Sequence, residues 1–266
     1  TMAAMNIATR LIDTHMHLHT AQFDSDRAAV FERALSHGVM RMIEIGYDRE
    51  SSRAAVQLAE SDPRIYAVVG IQPHYAAEAN ASWLAEIRQL ATHPKVVAIG
   101  EIGLDYYHDR APHAQQEQLF REQLALAREL ALPVVIHSRE AQADTVRILR
   151  DAAHGQPGIM HSFSGNWEYA ESCLEVGFHL SFSGPVTFPK AVELHDVARR
   201  APIDRILTET DSPYLSPHPF RGRRNEPGNV RLVAEQLAAL RDVPFDVLAN
   251  AVWQNACALF QLPELP

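Results

Sequence analysis

Residues 96–100 read VVAIG and residues 134–137 read VVIH, and an amphipathic stretch near 112–131 separates these two runs. Continuous apolar runs of this length are typical of parallel strands that are covered on both faces. A third such run, YAVVG, occupies residues 66–70. The three runs predict a parallel sheet whose strands are joined by helices.

The same alternation of strand and helix extends over the whole chain. Strands are predicted near 7–13, 39–46, 65–71, 96–101, 133–137, 158–161, 178–182 and 205–209. Helices are predicted near 26–37, 49–61, 79–92, 112–131, 139–153, 166–176, 188–200, 227–241 and 245–260. Eight strands, each followed by a helix, predict an α/β fold, a (β/α)8 TIM barrel in which residues 1–266 form a single domain. A doubly wound open sheet is the main alternative, but neither GxGxxG nor GxxxxGK[ST] occurs.

Composition narrows the functional classes. The 266 residues are 47% hydrophobic and 21% charged, as in ordinary globular proteins. A formal net charge of −9 argues against a protein that coats duplex DNA through a broad basic surface. No apolar run approaches the length of a membrane span, and TMAAMNIATRLID at the start lacks a long apolar leader segment. Together with the unpaired Cys173 and Cys257, these features lead us to expect a soluble cytoplasmic protein with reduced thiols.

Ionisable side chains gather where the predicted strands end, which is the edge at which barrels of this kind carry their chemistry. The first strand leads into His15-x-His17, and both imidazoles are expected to face the barrel mouth because alternate strand residues point the same way. Other strand ends supply two further histidines and two carboxylates. The complete candidate set is His15, His17, Glu101, His137, His161 and Asp211. Such a set suffices for two divalent ions bridged by one carboxylate.

A single histidine at a strand end is more often hydrogen-bonded or solvent-exposed than bound to a metal. Six ionisable groups in one mouth are different, because they carry large desolvation costs unless they are paired or metallated. Glu101 lies between the first and the later histidines, so it is predicted to bridge the ions. Asp211, at the end of the last strand, is predicted to bind the first ion and to accept a proton from the attacking water.

Five motifs together resemble the TatD family of metal-dependent deoxyribonucleases. They are DTHMHL (13–18), GEIGLDYY (100–107), PVVIHSR (133–139), MHSFSG (160–165) and ETDSPYL (209–215). The resemblance implies a TIM barrel with two metal ions that hydrolyses phosphodiester bonds in DNA, often as a 3′-to-5′ exonuclease with some endonuclease activity. The net charge of −9 leads us to expect a preference for single-stranded or frayed ends over long duplexes. The resemblance also implies His15, His17, Glu101 and Asp211 at one ion and Glu101, His137 and His161 at the other. The chain departs from the family at Gln72, where GIHPH is usual, and has Ser162 where relatives often have cysteine.

Candidate substrate contacts surround this set. The guanidinium groups of Arg139, Arg221 and Arg223 are predicted to bind phosphates, together with Asn225 in the long loop 212–225. His74, where the chain keeps the family histidine, is a further candidate contact. Aromatic residues just past strand ends are candidates for stacking on unpaired bases. These are Tyr75, Tyr106, Tyr107, Phe163, Trp167 and Tyr214.

Other functions remain open from the residues alone. A barrel amidohydrolase or esterase acting on a small molecule would use the same ligands, and a catalytically idle metal-binding or nucleic-acid-binding protein would keep them too. Mixed imidazole and carboxylate ligands do not separate Mg²⁺, Mn²⁺ and Zn²⁺. The arginine-rich last loop favours a phosphate substrate. A serine nucleophile has little support, because HSFSG does not match GxSxG.

Overall fold

The computed structural model describes residues 9–264. Within them, the strands are β1 (Leu11–Met16), β2 (Val39–Ile45), β3 (Ile65–Val69), β4 (Val96–Asp105), β5 (Val134–Arg139), β6 (Gly158–Met160), β7 (His179–Phe182) and β8 (Ile206–Thr208). The α-helices are α1 (Arg27–Ser36), α2 (Arg49–Ser61), α3 (Ala81–Leu90), α4 (His113–Glu129), α5 (Gln142–Ala152), α6 (Trp167–Glu175), α7 (Val192–Arg200), α8 (Val230–Arg241) and α9 (Phe245–Leu259). Helices therefore alternate with strands from β1 to β8.

The eight strands form one parallel sheet in the order β1 to β8. The first and last strands approach each other at the mouth, where Met16 pairs with Ser212 and the His17 N–H donates to the Ser212 carbonyl oxygen at 2.8 Å. On the interior, the Thr14 hydroxyl donates to the Thr208 carbonyl oxygen at 3.0 Å. These contacts bring the sheet round into a nearly closed barrel, so the predicted (β/α)8 fold is confirmed.

Two strands differ from the predicted bounds by three residues or more, and the other six differ by one or two residues at an end. β1 begins at Leu11 and ends at Met16, whereas the prediction was 7–13, of which residues 7 and 8 lie outside the described part of the chain. β4 continues to Asp105, four residues past the predicted end. Its extension pairs with β5 because Gly103 lies opposite His137, and a Cβ on Gly103 would collide with the His137 carbonyl oxygen. The glycine that suggested a strand end instead permits close approach of two strands.

Apolar side chains from both faces of the strands make up the core. Ile12, Val68, Ile136 and Phe182 are almost completely buried, as expected for strands that lie between the barrel interior and the surrounding helices. Among the helices of residues 9–264, none is long and apolar enough to cross a membrane.

Candidate metal centre

The carboxyl ends of β1, β4 and β5, and the loops after β6 and β8, bring the six predicted ligands to one place at the barrel mouth. Three donor groups form there, each with ligand atoms within 4.8 Å of one another. They are His15–His17–Glu101, Glu101–His137–His161 and His15–His161–Asp211. Most of these side chains are buried, so their charges must be balanced within the site.

Glu101 lies between the two sets of histidines. Its Oε2 is 3.7 Å from Nε2 of His15, and its Oε1 is 2.8 Å from Nδ1 of His137 and 3.5 Å from Nε2 of His161. The two oxygens of one carboxylate thus face different imidazoles, which is the arrangement that a bridging ligand requires.

Asp211 lies against the β1 histidines. Its Oδ1 is 3.3 Å from Nε2 of His17 and 3.6 Å from Nε2 of His15, and these two nitrogen atoms are 3.2 Å apart. The backbone N–H of Asp211 donates to the His15 carbonyl oxygen at 2.8 Å, which fixes the carboxylate beside β1. His161 stacks on His15 with 3.6 Å between ring centroids, so the two sets of ligands touch directly.

Three of the imidazoles are oriented by acceptors outside the cluster. Nδ1 of His17 donates to the Ile45 carbonyl oxygen at 2.9 Å, and Nδ1 of His161 donates to Glu209 at 2.8 Å. Nε2 of His137 donates to Asp105 at 2.9 Å. In its neutral form an imidazole donates from one nitrogen only, so each ring can donate to its outer acceptor and turn the lone pair of its other nitrogen towards the cluster. This is the orientation in which histidines bind metal ions.

The pKa shifts reflect the demand for positive charge in the cluster. Burial alone would lower the pKa of His161, but the carboxylates of Glu209 and Glu101 outweigh it and raise that pKa to about 10. The pKa of His137 rises to about 8 despite burial, because Asp105 and Glu101 both accept from it. Burial would raise the pKa of Glu101, yet the charges of His161 and His137 hold it well below its usual range.

Sequence reasoning missed the outer carboxylates. Glu209 accepts from His161 and from the backbone N–H of Ser162, both at 2.8 Å, and Asp105 accepts from His137. Both residues sit at an even spacing from a predicted ligand, Asp105 four after Glu101 and Glu209 two before Asp211. Even spacing from a predicted ligand was therefore the signal that could have found them.

Gln72 and His74 follow β3 and contact the cluster from the side. The amide nitrogen of Gln72 donates to Oε1 of Glu101 at 3.0 Å, and its Oε1 is 2.8 Å from Nδ1 of His74. Nε2 of His74 is 3.0 Å from Oδ2 of Asp105. The side chain at the position where the chain departs from GIHPH is thus hydrogen-bonded to the central carboxylate.

The predicted phosphate-binding arginines are exposed, and each lies over an aromatic ring. The guanidinium carbon is 4.2 Å from the Tyr107 ring centroid for Arg139, 4.7 Å from the Phe188 centroid for Arg221 and 5.9 Å from the Phe220 centroid for Arg223. None of the three forms an ion pair with a carboxylate of residues 9–264. Their charges are available to an anion.

Two of the predicted substrate contacts are instead hydrogen-bonded to other residues of the protein. Asn225 is fully buried, and its amide donates to the carbonyl oxygens of Thr210 and Tyr214 at 2.9 and 2.7 Å. The Tyr106 hydroxyl donates to Asp144 at 3.1 Å, and its ring stacks on a histidine of α4. The predictions that these two side chains contact substrate do not fit these hydrogen bonds, because their polar groups already hold the loops together.

The other aromatic candidates divide by exposure. Phe163 is buried against Tyr169, so its ring belongs to the core and is not exposed for stacking on a base. Tyr107 and Tyr214 expose 54% and 48% of their surface, and the Tyr214 ring centroid lies 6.0 Å from that of His17. These two rings are the accessible stacking candidates at the mouth.

Arg224 has a structural role in the loop 212–225. Its guanidinium pairs with Asp26 at 2.7 Å and with Glu226 at 3.2 Å, and it lies over the Phe23 ring. Arg33 of α1 also pairs with Glu226, at 2.8 Å. These ion pairs tie the end of the loop to the segment that begins α1.

A nearly closed (β/α)8 barrel with clustered histidines and carboxylates at the carboxyl ends of its strands defines a class of protein, the barrel hydrolases that depend on divalent metal ions. Comparison with known proteins gives the family. Residues 12–261 match the family model described as TatD related DNase. The chain belongs to the TatD-related DNase family.

Individual relatives cover the chain almost from end to end. It is 46% identical over 253 residues to the uncharacterized metal-dependent hydrolase YabD of Bacillus subtilis, covering 95% of this chain and 99% of that protein. It is 38% identical over 259 residues to the 3′-5′ ssDNA/RNA exonuclease TatD of Pantoea vagans, covering 95% of this chain and all of that one (100%). The crystal structure of YJJV, a TatD homologue from Escherichia coli, superposes with a TM-score of 0.91 at 32% identity, covering 96% and 99% of the two chains.

Proposed function

We propose that the protein hydrolyses phosphodiester bonds of DNA with two divalent metal ions and removes nucleotides from the 3′ ends of single strands. The observation that carries the proposal is the geometry of Glu101, whose two oxygens face separate imidazole sets at 2.8–3.7 Å. The name of the Pantoea vagans relative supports the choice of single-stranded nucleic acid as substrate.

The donor set fits two dications. When neutral, His17, His137 and His161 donate to their outer acceptors and turn lone pairs towards the carboxylates of the cluster. Dications would then supply the positive charge that protons on the imidazoles supply in the metal-free cluster. Buried Nδ1 of His15 has no hydrogen-bond partner among residues 9–264, so it can carry the proton while Nε2, which faces Glu101 and Asp211, offers a lone pair to an ion. We propose His15, His17, Glu101 and Asp211 at the first ion, and Glu101, His137 and His161 at the second.

The ions, when bound, would act as Lewis acids at the phosphoryl oxygens and make a nearby water more acidic. Mg²⁺, Mn²⁺ and Zn²⁺ are the candidate ions. The protein side chains supply the remaining functions. The Asp211 side chain is 14% exposed, more than those of His15 and His17, and its carboxylate accepts the proton of the attacking water. Glu101 would hold both ions, and Asp105 and Glu209 keep the imidazoles of His137 and His161 oriented.

Substrate binding rests on a few local contacts in this proposal. Arg139, Arg221 and Arg223 hold phosphates that flank the scissile bond, and Tyr107 and Tyr214 stack on unpaired bases. A net charge of −9 disfavours long duplexes, which bind through many phosphates at once. The two free cysteines agree with a reducing compartment, and we propose the cytoplasm.

The test uses a single-stranded oligonucleotide labelled at its 5′ end, incubated with the metal-stripped protein and then with Mg²⁺, Mn²⁺ or Zn²⁺. We expect no cleavage in chelator and a ladder of products shortened from the 3′ end once metal is added. The matched control is the same oligonucleotide with a phosphorothioate 3′ terminus, which should be degraded slowly. Hydrolysis of a small ester or amide without cleavage of DNA would instead favour the amidohydrolase or esterase alternative, and binding without turnover would favour a non-catalytic protein.

A further inference from the structure

A second cluster of metal-ligating side chains lies beside the cluster described above. His74, Asp105 and His108 each offer a ligand atom, and these atoms lie within 4.8 Å of one another. Oδ2 of Asp105 is 3.0 Å from Nε2 of His74 and 2.9 Å from Nδ1 of His108. None of these three residues is among the proposed ligands of the two central ions.

Hydrogen bonds fix which nitrogen of His74 carries its proton. The Glu101 carboxylate accepts from Gln72, so the Gln72 amide nitrogen faces Glu101 and its oxygen faces His74. An amide oxygen only accepts, and therefore Nδ1 of His74 donates. A neutral imidazole that donates from Nδ1 carries a lone pair on Nε2.

That lone pair points at an oxygen that also accepts. Oδ2 of Asp105 lies 3.0 Å from Nε2 of His74, and a contact of this length requires either a second proton on the imidazole or a cation between the two atoms. The same oxygen already accepts from Nε2 of His137 at 2.9 Å. His108 adds a third nitrogen at 2.9 Å, so an ion held here would gain two imidazoles and one carboxylate oxygen.

The carboxylate is held in place before any ion binds. The side chain of Gln116 accepts from the Asp105 backbone N–H at 2.8 Å and donates to its carbonyl oxygen at 3.1 Å. The His108 backbone N–H donates to Oδ1 of Asp105 at 2.8 Å, which leaves Oδ2 for the histidines. The His108 side chain is 35% exposed, so solvent reaches this cluster from the His108 side.

We propose that His74, Asp105 and His108 bind a third dication, distinct from the two central ions. Two imidazoles and one carboxylate are the ligands of open tetrahedral zinc sites, in which water takes the fourth position. Bonds of 2.0–2.1 Å in a tetrahedron put ligand atoms about 3.3 Å apart, so the observed separations need to widen by only a few tenths of an ångström. Zn²⁺, Co²⁺ or Ni²⁺ suits this ligand set, whereas Mg²⁺ prefers oxygen ligands.

Metal stoichiometry tests the proposal without any nucleic acid. The full chain is stripped with chelator, dialysed against Zn²⁺ and analysed for zinc per chain, for the unchanged protein and for His108→Ala. His113→Ala is the matched control, because His113 is also an exposed imidazole near a carboxylate, 3.3 Å from Asp109. We expect three equivalents for the unchanged protein and for the control, and two for His108→Ala. Loading with Mg²⁺ alone should leave the third site free for a later equivalent of Zn²⁺.

Anomalous diffraction at the zinc edge provides the second measurement and should give a peak between His74, Asp105 and His108. Equal zinc content in the unchanged protein and in His108→Ala, or a third peak elsewhere, would overturn the assignment. The outcome is separate from that of the proposed nuclease function, because cleavage of DNA with Mg²⁺ requires only the two central ions. Loss of that cleavage with three zinc equivalents retained would count against the nuclease proposal alone.

Discussion

Oε1 of Glu209 lies 2.8 Å from Nδ1 of His161, and both side chains are buried at the barrel mouth. A carboxylate in this position holds the imidazole in one orientation and raises its basicity. The second oxygen of Glu209 has no hydrogen-bond partner among residues 9–264. We infer from the contact with His161 that Glu209 positions this proposed ligand.

Glu209→Gln should weaken metal binding without removing a ligand. The amide keeps the size of the side chain but not its charge, so we expect the affinity for the second ion to fall by about 10–100-fold. Isothermal titration with Mn²⁺ measures the change. Glu175→Gln, an exposed substitution on α6, is the control and should titrate like the unchanged protein. Unaltered affinity in Glu209→Gln would show that the charge of Glu209 is not needed.

Glu101→Ala and His161→Ala should differ in metal content. A bridging carboxylate serves two ions, so its removal should lower the occupancy of both, whereas loss of His161 should spare the ion held by His15 and His17. Elemental analysis of the purified variants gives the number of ions per chain, and thermal melts check that each is folded. The bridging role is refuted if the two variants lose the same amount of metal.

Asp211→Asn should separate metal binding from proton transfer. The amide can still offer an oxygen to an ion but cannot accept a proton, so we expect kcat to fall by roughly 10²–10⁴-fold while DNA binding changes little. Steady-state kinetics and metal analysis are made on the same preparation. A near-normal kcat with normal metal content would place the base elsewhere.

Arg139→Ala should raise KM for single-stranded DNA and leave metal content unchanged, because the guanidinium lies over the Tyr107 ring and not on a proposed ligand. We expect roughly a 10-fold loss of kcat/KM, the size of one charge-assisted phosphate contact. Arg150→Ala, which removes an exposed guanidinium paired with Glu175, is the control. If Arg139→Ala loses metal, Arg139 has a structural role.

Acid should destabilise the metal-free protein in part through His179. Burial, and then the positive charge of Arg205, lower the pKa of His179 from 6.5 to about 4. The unfolded chain therefore takes up a proton below pH 6.5 that the folded chain refuses until about pH 4, so stability falls as the pH falls through this window. His179→Gln should remove roughly 1–3 kcal/mol of that pH dependence. Urea unfolding across this pH window measures it, and parallel pH profiles for the two proteins would contradict the assignment.

The fold could be predicted from the sequence because buried parallel strands are continuous apolar runs. VVAIG and VVIH became parts of β4 and β5, and every predicted helix is present with bounds within a few residues. The end of β4 could not be predicted from the sequence. Gly100 and Gly103 resemble a strand end, and only the pairing of Gly103 with His137 across the sheet shows why the strand continues.

The convergence of the six candidate ligands followed from the rule that strand ends meet at one edge. What the sequence could not supply was the orientation of side chains. The contacts of Gln72 with Glu101 and His74 depend on rotamers and on the loop after β3, which no spacing rule describes. Asn225 was misjudged for a related reason, because its position in an arginine-rich loop concealed that its amide is buried.

The ion pairs of Arg224 divide the last loop into two parts with different tolerance for change. Arg224 forms an ion pair with Asp26, and the buried Asn225 is hydrogen-bonded to the loop. The conformation of the loop therefore does not depend on the exposed side chains of Arg221 and Arg223. A mutant library that randomises Arg221 and Arg223 while keeping Arg224 and Asn225 should therefore yield mostly folded members. Selection from that library could shift the preference of the barrel among substrates without rebuilding its metal ligands.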